Sequence, residues 1–92
     1  GKEISITATG GVRYTVPSTI NTAQMDDTVT VRFRVGAVYK NCYIAVYLDD
    51  KQLQHRKRPV MAPGEMEQVV LKKKQLIETD NHRTITIKIE EA

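Results

Sequence analysis

The side chains able to do chemistry in this sequence are few and scattered: two histidines, one cysteine, two Asp-Asp pairs and a run of cations. Metal binding or acid–base work asks for converging partners. No carboxylate sits two or four positions from His55, and the HxH and HxxxH spacings are missing. His82 falls in "TDNHR", beside Asp80, and reads as a loop-tip residue. Both histidines are therefore expected at the surface. Asp26-Asp27 and Asp49-Asp50 lack the interleaved oxygen ligands of a calcium loop and suit turns instead. Cys42 alternates in phase with Ile44 and Val46, so it is expected as a buried thiol. A single cysteine excludes an internal disulfide and any cysteine-based zinc site. Gly10-Gly11 is not followed by a helical pattern, as a dinucleotide loop would be, and reads as a turn.

The cations offer a second chemistry. Lys51 to Lys74 holds seven cations and two carboxylates, a surplus of +5 in a chain of net charge +3, leaving −2 for the remainder. Arg56, Arg58, Lys72, Lys73 and Lys74 are thus a candidate basic patch for a polyanion or an acidic partner protein. The competing reading is an edge strand guarded by charge against aggregation. No aromatic interleaves with these cations, so stacked bases have no platform and no specific nucleic acid is expected. Strand alternation also separates Arg56 and Arg58 from Lys57. Within "HRKRPVMAPGEME", Arg56 or Arg58 is expected to pair with Glu65 or Glu67 as an exposed ion pair.

The elements that position these residues follow a period of two. In "TVTVRFRV", Val29, Val31, Phe33 and Val35 alternate with Thr28, Thr30, Arg32 and Arg34, which is one buried and one wet face. "TITIKIE" and "EISITA" repeat the pattern through Ile85, Ile87, Ile89 and through Ile4, Ile6, Ala8. "GVRYTV" offers Val12, Tyr14 and Val16, and Pro17 closes it. "LDDKQL" reads as a hairpin turn and "QLQHRKR" as a polar edge strand. Pro63-Gly64 makes a corner before "EMEQVVL". A short helical turn is expected in "KKKQLIETDNHR". Seven short strands in one domain, residues 1–92, predict an all-β fold: a seven-stranded antiparallel immunoglobulin-like β-sandwich, with a small barrel as its competitor. With one Phe and no Trp, Ile and Val must fill most of the core. No apolar run reaches the ~18–20 residues of a membrane span, and no signal-peptide pattern appears.

"CYIAVYL" stands apart because neither face is charged, which predicts a central strand. Cys42, Ile44, Val46 and Leu48 point one way, and Tyr43, Ala45 and Tyr47 the other. The tyrosine row reads in two ways. It is a docking face for another domain, or it is covered by long side chains such as Arg32 and Arg34 through stem packing and cation–π contact.

Three stretches together, "GGVRYTVPSTI", "VTVRFRVGAVYKNCYIAVYLDDKQL" and "RKRPVMAPGEMEQVVL", resemble the C-terminal domain of bacterial FAD-dependent pyridine-nucleotide oxidoreductases, a group often encoded near glycerol-catabolism genes. The likeness runs from about Ile4 to Ile89. It implies a β-sandwich appended to flavin- and nicotinamide-binding domains in a cytoplasmic enzyme. FAD and NAD(P) would belong to that parent, and no cofactor, catalytic or metal site is expected in these residues. The chain would then be a C-terminal fragment, with Gly1 a cloning residue, whose partners are the parent's other domains or a partner subunit. The alternative is a free-standing module using Lys51–Lys74 to hold a polyanion or acidic protein. An extracellular adhesin-like sandwich is a third reading, disfavoured by the missing signal.

Overall fold

A computed structural model describes residues 3–77 and 84–91. Eight strands form: β1 Glu3–Ala8, β2 Val12–Val16, β3 Thr19–Asn21, β4 Thr28–Val35, β5 Tyr39–Leu48, β6 Lys51–Met61, β7 Glu67–Lys72 and β8 Thr84–Glu91. One short helix, α1, spans Lys73–Leu76. The strands make two sheets, a five-stranded one in the order β3-β1-β8-β5-β6 and a three-stranded one in the order β2-β4-β7. The fold is therefore all-β and sandwich-like.

Alternation places the core between the sheets. Val31, Phe33 and Val35 of β4 face Ile44, Val46 and Leu48 of β5 and Ile85, Ile87 and Ile89 of β8, all buried. Ile4 and Ile6 of β1 and Val69 and Leu71 of β7 complete it, and α1 adds the buried Leu76. Cys42 is buried among them, and its thiol donates to Lys40 O at 3.3 Å. The uncharged strand β5 lies inside its sheet, paired with β8 and β6, and the cation-rich β6 is the edge. Asp49 and Asp50 form the two-residue β5–β6 hairpin turn, with Asp49 in the left-handed region at φ 52°.

Three expectations are corrected. The strand count is eight, because "TIN" pairs with β1 as β3; three residues are too few to show a period. The sheets are not wholly antiparallel, since β1 lies parallel to β8 with Ile6 opposite Ile85. And β2 does not bury Val12, Tyr14 and Val16 together. Val12 is buried opposite Val35, but a bulge lies between Val12 and Tyr14. One extra residue reverses the side-chain phase, so Tyr14 and Val16 turn outward, opposite Arg34 and Arg32. The Gly10-Gly11 turn is the corner at which the chain leaves the larger sheet for the smaller. Both glycines have positive φ, and a Cβ on Gly11 would meet the Tyr39 hydroxyl. His82 and Asp80 lie outside the described residues.

Candidate functional site

The tyrosine row of β5 points away from the core, as its alternation requires, but its neighbours cover it. On β6 Ala45 stands opposite His55, and on β8 it stands opposite Lys88. These long side chains close over the small one, leaving Ala45 with 0 % exposure. Tyr43 stacks on the His55 ring, with centroids 4.1 Å apart and planes 17° from parallel. Tyr47 donates its hydroxyl to Glu90 Oε2 at 2.6 Å and accepts from Gln52 Nε2 at 3.2 Å. Lys88 Nζ sits 5.0 Å from the Tyr47 ring centroid and 3.4 Å from Glu90 Oε2. His55 Nε2 lies 3.4 Å from Glu90 Oε1. The Tyr47 hydroxyl, with help from Lys88 and His55, holds the Glu90 carboxyl below its usual range. The row is thus half-buried under a polar lattice and not an open apolar patch. The cover comes from β6 and β8. Arg32 and Arg34, the expected cover, belong to the other sheet.

The candidate basic patch divides into two groups. Gln54, Arg56 and Arg58 share one side of β6 and reach across to β7, the edge of the opposite sheet. Gln54 Nε2 donates to Val70 O at 2.7 Å and Arg56 Nη2 to Gln68 O at 2.9 Å. Arg58 forks onto Glu67, with Nε 3.1 Å from Oε1 and Nη2 3.3 Å from Oε2. Glu67 is only 5 % exposed. The ion pair expected between Arg58 and Glu67 therefore exists, but it is part-buried and joins two sheets, where an exposed pair was expected. The Pro63-Gly64 corner carries the chain from one sheet to the other, so β6 and β7 meet edge to edge through side chains. These donors satisfy carbonyls that an open β7 edge would present to another chain.

Lys72, Lys73 and Lys74 lie at the far end of β7, around a surface depression also lined by Asp27, Thr28 and Ile77. Lys73 N donates to Asp27 O at 2.8 Å, which ties α1 to the start of β4. The structure thus leaves the lysine trio as a separate group from Arg56 and Arg58.

A third surface escaped the sequence reading. The outer face of β2-β4-β7 aligns Tyr14 with Arg34, Val16 with Arg32 and Gln68, and Thr30 with Val70. Tyr14, Val16 and Val70 are 45 %, 56 % and 44 % exposed. Its only sequence signal was the Arg32 and Arg34 alternation; the bulge that brings Tyr14 and Val16 beside them leaves no local trace. Comparison with protein-family models, with curated protein sequences and with solved structures returns no match for this chain.

Proposed function

We propose that this chain is a non-catalytic interaction module, the C-terminal β-sandwich of a cytoplasmic flavin-dependent, NAD(P)-linked oxidoreductase, packed against its catalytic domains or a partner subunit. The observation that carries this reading is where the family-like stretches fall. "GGVRYTVPSTI" is the sheet-switching corner with β2 and the start of β3. "VTVRFRVGAVYKNCYIAVYLDDKQL" is β4, β5 and the hairpin into β6. "RKRPVMAPGEMEQVVL" is the β6–β7 seam. The likeness is to a scaffold, as expected for a module that supports chemistry done elsewhere. The order β2-β4-β7 against β6-β5-β8 supports an immunoglobulin-like topology, with β1 and β3 added beyond β8.

The test is to append an affinity tag to this chain at its own chromosomal locus and purify the native product. A flavin absorption spectrum with about one FAD per chain is expected from the tagged polypeptide or its complex. A flavin-free product overturns the reading. The separate 92-residue chain, whose described residues hold no phosphate loop at a helix N-terminus, is expected to leave FAD fluorescence unchanged. The alternative, a polyanion-binding module, draws support from the lysine trio alone, since Arg56 and Arg58 are spent on the seam. It requires DNA affinity that falls with a log–log salt slope of about −3 and vanishes when the three lysines become alanine.

A further inference from the structure

We infer that the outer face of the three-stranded sheet is a docking surface for a protein partner that presents carboxylates between aliphatic side chains. This stands on the geometry of the face and holds whether or not the parent is a flavoenzyme. Two apolar rails, Tyr14 and Val16 on one side and Val70 on the other, flank the cations of β4. The cations are held in different ways. Arg34 Nε donates to Tyr14 Oη at 3.0 Å and Nη1 to Gly64 O at 2.9 Å, which fixes the guanidinium plane and leaves Nη2 to a partner. Arg32 makes no ion pair or side-chain hydrogen bond among the described residues. The outward positions of β2, β4 and β7 carry no Asp or Glu, because Glu67 turns inward to Arg58.

Charge complementarity identifies the occupant. A guanidinium between valines is matched by a carboxylate that can accept a fork of hydrogen bonds while its neighbours bury against the rails. A second copy of this chain would set arginine against arginine. Nucleic acid would meet a single aromatic, Tyr14, among valines and threonine, a poor platform for bases. Tyr and Arg are also the residue types that dominate protein interfaces.

The test uses amide-resolved NMR of the chain with three probes: a short peptide alternating Val and Glu, its Val-Lys counterpart, and a duplex DNA oligonucleotide. The Val-Glu peptide is expected to shift Tyr14, Val16, Arg32, Gln68 and Val70, and the Val-Lys peptide to leave them in place. Arg32→Glu is expected to weaken the Val-Glu complex by roughly tenfold, through one lost pair and one new repulsion. Arg32→Gln serves if the reversal disturbs the fold, with about half the logarithmic effect. Shifts confined to Lys72–Lys74 or to the Tyr43 row, equal binding of both peptides, no binding, or tighter binding of DNA on this face each overturn the inference.

Discussion

Replacing Arg58 by Met tests whether the two sheets are held together at their β6–β7 seam. The substitution keeps most of the apolar stem and removes the fork that faces Glu67. In the folded protein the Glu67 side chain is 6 % exposed and that of Arg58 36 %. Removing one partner of a fully buried pair costs about 3–5 kcal/mol, because a charge is left without compensation. A wholly exposed pair contributes only ~0.2–1 kcal/mol. Arg58 lies between these limits, since water reaches its guanidinium but scarcely reaches the carboxylate. A loss of about 2 kcal/mol follows, which in a domain of this size lowers the unfolding midpoint by roughly 8–16 °C. Thermal unfolding followed by circular dichroism measures it, with urea unfolding as a check on cooperativity. The double variant Arg58→Met with Glu67→Leu is expected to regain most of the loss, because the orphaned carboxylate is gone. An Arg58→Met loss below about 0.5 kcal/mol would refute the seam as a stabilising contact. A double variant no better than the single one would show that the cost is packing, not charge.

Gly11→Ala is expected to destabilise by about 2 kcal/mol, from its positive φ and the approach to Tyr39, whereas Gly64→Ala, open around its Cα, is expected to be neutral or to stabilise by ~0.4–1 kcal/mol; paired melting curves compare them. Phe33→Ala removes a fully buried ring at the centre of β4 and should cost ~3–5 kcal/mol, enough to leave the chain largely unfolded by amide dispersion. The Glu90 carboxyl titrates below its unfolded value, so what it adds to stability is present above the ordinary carboxylate range and is lost as pH falls through its folded pKa. Tyr47→Phe removes the leading cause, so carboxyl NMR should report a higher Glu90 pKa and a smaller acid-side loss of stability.

Much of the site was legible in fragments. The inward row of β5 follows from alternation alone, and so does the outward direction of Tyr43 and Tyr47. What covers that row does not. His55 and Lys88 stand beside Ala45 only because β6 and β8 flank β5, and they lie 10 and 43 residues further along the chain. Arg58 and Glu67 are close enough in sequence for their pairing to be expected, yet the burial of Glu67 depends on two sheet edges meeting. The face formed by Tyr14, Val16, Arg32 and Val70 was hidden by the β2 bulge. A bulge leaves the apolar pattern of "VRYTV" intact while reversing which side it faces.

By itself the sequence determined the all-β character, the core rows of β1, β4, β5 and β8, the hairpin at Asp49-Asp50 and the edge position of β6. These are local properties, because side-chain period and turn chemistry act over a few residues. Tertiary structure alone decided that β1 lies parallel to β8, that Arg56 and Arg58 reach across a seam to β7, and that the exposed Tyr14, Val16 and Val70 share the outer face of the smaller sheet. Those outcomes depend on which strands become neighbours. That choice is made by the whole chain as it buries its core, and no short stretch carries it.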